Sequence, residues 1–348
     1  MTQTPLEDPG ASRPWLAHYP PGVPAEVTPQ GTLVDLLERA VTRYAERPAL
    51  ESFGARMSYR QLGERARAVA SGLQRMGLKK CDRVAVMSPN VMAYPAVIFG
   101  ILAGGFTVVN VNPLYTPREL AHQLNDSGAR MIFVLENFAH TLDAALPDLK
   151  LLERAVVMSP GDCMGLKGLI VNFVSRRIKR AVKPYMLPAT LSLRQFLAWG
   201  AEQPPKPAEV APGDMAFLQY TGGTTGVSKG AVLTHANVVA NVAQADAWLT
   251  AQMKGDAPHV MYTALPLYHI LALTACCMFM TSIGAMQVLV ANPRDIPGLV
   301  KTMKSTPPTI LVFVNTLYNA VAHHPDVAAV DFSKLQLCIS GGMATQAA

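Results

Sequence analysis

The sequence predicts an α/β protein built in several layers, with sheets covered by helices, and three observations carry that expectation. Its 348 residues are 50% hydrophobic and 16% charged, which is apolar material for one large core or for two to three ordinary ones. Its 27 Pro and 25 Gly are spread along the chain as punctuation between short elements. Two runs free of Lys, Arg, Asp and Glu, 84–117 and 257–293, repeat one internal order. The first reads VAVMSPN, a short β-branched run with a turn, then VMAYPAVIFGILAGG, helix-like and stopped at Gly104 and Gly105, then FTVVNVN. The second reads VMYTALPLYH, ILALTACCMFMTSIG and AMQVLVANPR. Either run is long enough to cross a bilayer, but strand, apolar helix, glycine stop, strand is the pattern of parallel strands buried on both faces.

In chain order, residues 1–30 lack an apolar core region and read as an extended, proline-bearing leader rather than a secretion signal. Gly31 to Tyr44 has the spacing of an amphipathic helix, with Leu33, Leu36, Leu37, Ala40, Val41 and Tyr44 on one face. Ser58 caps a second helix, YRQLGERARAVASGLQRMG. Arg118 to Ser127 predicts a further helix, and ARMIFVL after it a strand. The polar, proline-bearing stretch 207–214 divides a first α/β subdomain, 31–212, from a second, 213–348.

Five cysteines, Cys81, Cys163, Cys276, Cys277 and Cys338, are odd in number and form no CxxC pair. That excludes a disulfide scaffold and places free thiols in a reducing compartment, the cytoplasm. The net charge of +6 is accounted for by Lys167, Arg176, Arg177, Lys179, Arg180 and Lys183, which lie between Met164 and Pro188 with no acid among them. The rest of the chain is neutral, and with no aromatic-interleaved basic motif or zinc spacing a nucleic-acid partner is excluded. Ile170, Phe173, Val174, Ile178, Ala181 and Val182 share a helical face within this segment. It reads either as a helix lying on an anionic membrane surface through 166–183 or as one packed on the protein with a solvated basic face.

The chemistry lies in YTGGTTGVSKGAVLTH, where an apolar strand runs into a loop with glycines at Gly222, Gly223, Gly226 and Gly230. Hydroxyls stand at Thr221, Thr224, Thr225 and Ser228, and one cation at Lys229. Glycines let successive backbone N–H groups curl inward, hydroxyls add neutral donors, and a lysine supplies a point charge, so the loop suits a polyphosphate. The helix expected from His235 adds its dipole if its N-terminus faces the loop. The spacing is not that of a Walker A loop, which needs Gly-Lys-Ser/Thr in sequence, and no GxGxxG follows the first strand. The plainer alternative is a polar turn.

These residues resemble the phosphate-loop signature of the AMP-forming acyl-adenylating superfamily. RVAVMSPN, GILAGGFTVVNVNPLYTPRELAHQLNDSGA, TALPLYHI, ANPRDIPGLVK and CISGGM look like bacterial long-chain fatty acid:CoA ligases, in this order, across 15–343. The resemblance implies an adenylating N-terminal domain that forms acyl-AMP and pyrophosphate from ATP and a long-chain fatty acid. Coenzyme A then displaces AMP. It implies Lys229 and the loop amides as the groups that offset charge on the phosphates, and Thr221 as a ligand of Mg2+. It places His269 near the adenylate and the acyl entrance, Leu273 at an acyl gate on the same helical face, and Ser340, Gly341 and Gly342 in the turn against nucleotide and substrate. On the residues alone, His269 and Leu273 also read as core.

The family's Tyr-Gly-x-Thr-Glu motif, with its metal-binding Glu, and its small C-terminal domain are expected beyond residue 348. The chain therefore reads as the first part of a longer protein or as a truncated product. The alternatives are a ligase for another carboxylic acid, an acyl-AMP ligase, or a non-catalytic nucleotide- or lipid-binding protein. The oligomeric state stays open, a homodimer included.

Overall fold

The structure is a computed structural model that describes residues 13–188, 190–221, 228–253 and 258–343. It runs from α1 (Leu33–Tyr44) through β1 (Pro48–Ser52) and β2 (Ala55–Ser58) to α2 (Tyr59–Arg75), β3 (Arg83–Met87), α3 (Ala93–Ala103), β4 (Thr107–Val111), α4 (Pro117–Ser127), β5 (Ala129–Leu135), α5 (Ala139–Ala145), β6 (Arg154–Met158) and α6 (Leu166–Phe173). After β7 (Leu191–Ser192) and α7 (Leu193–Ala201) come β8 (Met215–Thr221), β9 (Lys229–Thr234), α8 (His235–Leu249), β10 (Val260–Thr263), β11 (Met286–Leu289), β12 (Ile310–Phe313) and β13 (Leu337–Ser340).

Local chemistry starts the helices. Thr32 with Asp35, Ser58 with Gln61, Thr116 with Glu119 and Ser192 with Gln195 form reciprocal capping boxes, each satisfying two backbone N–H groups that the helix cannot. The first helix accordingly begins at Leu33 and not at Gly31, because Thr32 takes the extended cap geometry. The helix α4 ends where Gly128 adopts φ 64°, a left-handed conformation that suits glycine.

The strands form two sheets, one of seven strands in the order β7-β6-β5-β3-β4-β8-β9 and one of six in the order β13-β12-β10-β11-β1-β2. All pairings are parallel except β1 with β2 and β8 with β9. The two uncharged runs supply interior strands: β3 and β4 of one sheet, β10 and β11 of the other, with α3 between the first pair. Every residue of β4 and β11 is buried, as the continuous apolar reading requires.

The linear division at 212/213 does not separate these sheets. The strands β8 and β9 follow it in sequence yet pair onto β4, and β1 and β2 precede it yet pair onto β11 (Leu50 opposite Gln287). A fully buried β4 needs a partner on both sides, and AFLQY is the apolar strand that fills the open one. The main core spans both sheets, drawing Leu37, Val69, Val86, Val97, Phe133, Phe217, Met261 and Phe279 together.

The basic segment departs from the reading in which its apolar face packs on the protein. Gly168 of α6 lies so close to Gly161 that a Cβ would come 2.0 Å from the Gly161 carbonyl oxygen, so this helix meets the protein through its glycine face. Leu166, Leu169, Ile170, Phe173 and Ile178 are left in solvent, at 83%, 59%, 65%, 60% and 66% exposure. Arg176 turns inward instead, pairing with the buried Glu136 and donating to Ser159 Oγ. Ala181 and Val182 fall beyond the helical residues.

The helices α2 and α7 touch through Gly200, whose added Cβ would stand 2.0 Å from the Ala68 carbonyl oxygen. Gly200→Ala should cost about 1–3 kcal/mol by forcing the two helices apart. Gly213→Ala, with open space around it, should stay within about 0.5 kcal/mol of the parent. Chemical denaturation midpoints of the two variants check this, and equal midpoints would contradict the close contact.

Candidate functional site

The segments on either side of the glycine-rich stretch, β8 and β9, pair as an antiparallel hairpin. Thr221 pairs with Lys229, Tyr220 with Gly230 and Gln219 with Ala231. Gly222, Gly223, Thr224, Thr225 and Gly226 lie outside the described residues. Its two stems are closed by Ser228 Oγ donating to the Thr221 carbonyl at 3.0 Å. Lys229 is exposed, and among the described residues no acid pairs with it. Gly230 leaves room for the Tyr220 ring, 3.0 Å from where a Cβ would be.

The helix α4 braces the hairpin from the side. Tyr220 Oη donates to the Asp126 carboxylate, and His122 Nε2 lies 3.4 Å from the Ser228 carbonyl. Burial, with the neighbouring Asp126, pushes the Tyr220 hydroxyl upward in pKa, so it remains a donor at neutral pH.

The helix dipole expected from His235 does not reach this loop. An antiparallel strand, β9, intervenes, and its six residues carry the start of α8 about 20 Å to the other end of β8, where Thr234 pairs with Met215. His235 has a structural role there. Its Nδ1 accepts from the Leu33 amide at 3.2 Å, and its own amide donates to the Asp214 carbonyl. Burial pulls its imidazole down to about 4, against the opposing pull of Asp214 and Asp35.

On the second sheet, β10 ends in a turn that presents His269. The residue is exposed, its ring 4.5 Å from that of Tyr268, and partial desolvation lowers its pKa below that of an ordinary imidazole. His269 is the extended N-cap of the helical stretch that begins at Ile270, not a member of it. Although the Leu273 amide donates to the His269 carbonyl at 2.9 Å, the two side chains part company. Leu273 is fully buried in the main core with Cys276 and Cys277, so the shared helical face expected for the pair is absent.

Leu271 points the other way. Its Cδ2 lies 3.3 Å from the position a Cβ on Gly341 would take, which brings the start of this helix against the glycine turn after β13. There the Gly341 amide donates to the Phe313 carbonyl, and Gly342 has φ 81°. His269, Ser340, Gly341, Gly342 and the hairpin stems thus gather at the carboxyl ends of β8, β10 and β13, the end of a parallel sheet where ligands bind.

Two buried amides hold this end together. Asn90 donates to the carbonyls of Thr263 and Leu265 at 2.9 Å each and accepts from the Leu267 amide at 2.9 Å. Gln219 Nε2 donates to the Tyr268 carbonyl at 2.7 Å. Behind it, Asn110 Nδ2 donates to Gln219 Oε1 at 3.1 Å, and Tyr94 Oη donates to Asn110 Oδ1 at 2.7 Å. Sequence reasoning missed Asn90, Asn110, Gln219, His122 and Asp126. The first three carried a signal, for an amide inside an apolar run must find partners once buried.

The sequence matches the family described as AMP-binding enzyme over residues 37–348. It is 48% identical over 336 residues to a long-chain-fatty-acid–CoA ligase of Escherichia coli, covering 95% of this chain and 60% of that protein. To one of Yersinia pestis it is 47% identical over 339 residues, with 96% and 60% covered. The chain spans about 60% of the length of these curated relatives. A solved long-chain-fatty-acid–CoA ligase of Archaeoglobus fulgidus shares the fold, with TM-score 0.74 at 24% identity over 94% of this chain and 61% of that one.

The depressed pKa of His235 gives a signed expectation. Below its ordinary value near 6.5 the unfolded chain takes up a proton that the folded chain refuses until about 4. Stability present at pH 7 is therefore lost as pH falls through that window, by up to about 3 kcal/mol. His235→Gln should flatten this acid limb, as read from denaturation midpoints between pH 7 and 4. An unchanged slope would contradict the assignment.

Proposed function

The chain belongs to the AMP-binding enzyme family, and from that premise we propose that it is the adenylating part of a long-chain fatty acid:CoA ligase. The observation that carries this reading is the meeting of the paired stems of β8 and β9 with the His269 turn and the Ser340–Gly342 turn at one end of the two sheets. The kinship with named long-chain ligases at 48% identity supports the substrate class. In the first step the fatty acid carboxylate oxygen bonds to the α-phosphorus of ATP and pyrophosphate leaves. In the second the thiol sulfur of coenzyme A bonds to the acyl carbon and AMP leaves.

The barrier in the first step is repulsion between an anionic nucleophile and a polyanionic nucleotide. It calls for preorganised cations and dipoles rather than a covalent enzyme nucleophile. Lys229, exposed and without an acidic partner among the described residues, would supply such a cation, and Thr221 and Ser228 would supply hydroxyls at the stems. His269 and the glycine turn would border the adenylate and the acyl entrance. Leu273, sealed in the core, would act on an acyl chain only if the core opens.

The family's Mg2+ is not accommodated by these residues alone. Thr221 offers one neutral oxygen, and among the described residues no cluster of three or more His, Cys, Asp or Glu stands together to hold an ion. The triphosphate itself would bring the oxygens that Mg2+ prefers.

A membrane partner has its own support. The apolar side chains Leu166, Leu169, Ile170, Phe173 and Ile178 stand exposed beside Arg177, Lys179, Arg180 and Lys183, none of which has an ion-pair partner among the described residues. Apolar contact plus cations is the combination that seats a helix in an anionic lipid interface. Among the described residues no helix is long and apolar enough to cross a membrane. All five cysteines are free, in keeping with a cytoplasmic setting and the inner face of a membrane.

ATP–pyrophosphate exchange with a panel of carboxylic acids, on the longest expressed form of the protein, tests the reading. Exchange driven by long-chain fatty acids above acetate and benzoate is expected. Preference for a short or aromatic acid would reassign the substrate, and no exchange with any acid would leave a nucleotide-binding protein. Lys229→Ala should lower the exchange rate by 10- to 100-fold, the loss of a charge-assisted phosphate contact of about 1.5–3 kcal/mol. A change within about twofold would mean that Lys229 points away from the phosphates. Changing Arg177, Lys179, Arg180 and Lys183 together to Gln should release the protein from vesicles containing anionic lipid, at about 1 kcal/mol per charge. Binding unchanged by these substitutions and by added salt would contradict the membrane role.

A further inference from the structure

We propose that Gln219 is a positioning residue that sets the His269 turn relative to the phosphate hairpin, with Asn110 and Tyr94 holding Gln219 from behind. The inference rests on the ligase reading for its functional meaning, but its geometry stands apart from it.

The strands β8 and β10 belong to different sheets, so backbone pairing does not tie the hairpin to the turn after β10. A side chain does. Gln219, two residues before Thr221 and on the same side of the strand, reaches out of its own sheet to the carbonyl of Tyr268, the residue before His269. That carbonyl can only accept, which obliges Gln219 to present its NH2 group there and its oxygen to Asn110. Asn110 must then offer its own NH2 to Gln219 and its oxygen to Tyr94. The polarity of the whole relay follows from a single backbone acceptor.

Each member is buried: Tyr94 fully, Asn110 to 3% exposure and Gln219 to 4%. Gln123 of α4 adds a third side-chain amide, donating to the Asn110 carbonyl at 2.8 Å. No water competes in such a place, so a broken link leaves an unsatisfied polar group, and the relay resists distortion. Its consequence is geometric. The Tyr268–His269 peptide is pinned to the strand that carries the phosphate loop, so a displacement of the end of β8 on taking a triphosphate would be passed to the ring of His269. Gln219 need not touch nucleotide or acid for this.

Gln219→Met keeps the length and burial of the side chain and removes the N–H. In a fatty-acid-dependent exchange assay the variant should retain ATP affinity within about twofold while KM for the fatty acid rises, or kcat falls, by at least tenfold. In parallel, NMR of the histidine ring signals should show His269 shifted by the substitution and His235 unmoved, a readout that needs no turnover. Absence of exchange in the parent protein would count against the ligase reading and leave the NMR comparison to decide this one. If Gln219→Met does not fold, Tyr94→Phe, which deletes one oxygen at the far end of the relay, should shift the same His269 signals with a smaller kinetic loss. His269 signals and kinetic constants unchanged in whichever variant folds would overturn the proposal.

Discussion

Asn90 sits on the turn after β3 of the seven-stranded sheet, 2% exposed, yet all three of its principal hydrogen bonds go to the backbone that leaves β10 of the other sheet. With Gln219 on Tyr268, it ties two sheets that share no strand pairing at the one place where their carboxyl ends must keep a fixed distance. A backbone turn as tight as 264–269 has carbonyls and amides that cannot all bond to each other. Buried without partners they would each cost about 1–3 kcal/mol. Side-chain amides borrowed from the neighbouring sheet satisfy them, and one of these bonds falls on the carbonyl of Tyr268, the residue before His269.

Much of this was legible in the sequence, for reasons that are local. The cap at Ser58 pairs with a residue three positions on, and both uncharged runs announce strands buried on both faces. The loop residues named themselves through glycines and hydroxyls packed into ten positions. What escaped was non-local. Nothing in AFLQY says that Gln219 bonds a carbonyl 49 residues on, or that this strand joins the first sheet while β1, near the chain's start, joins the second. Sequence order also left open that α8 faces the loop with its dipole, but the apolar alternation of β9 is weak, with half of its residues exposed and none buried, and the hairpin went unread. Likewise Leu273 follows His269 by one helical turn, yet His269 lies outside the helix.

Charge is arranged sparingly around the site. A chain with 30 basic and 24 acidic residues places Lys229 at the hairpin stem, with no ion-pair partner among the described residues, and concentrates its excess on the segment between Met164 and Pro188. Arg176 is the exception within that segment, because Glu136, buried to 3% exposure, requires a cation. The remaining cations share a surface with exposed leucine, isoleucine and phenylalanine, a costly display in water unless something covers it.

The most direct test of the account is a crystal structure of the protein with a non-hydrolysable acyl-adenylate analogue carrying a long alkyl chain. Its phosphate-mimicking group should lie between the Thr221–Gly230 hairpin and the His269 turn, with the adenosine against Ser340–Gly342 and the Gln219 bond to Tyr268 intact. An analogue bound away from these three segments, or bound there with the His269 turn detached from Gln219, would contradict it.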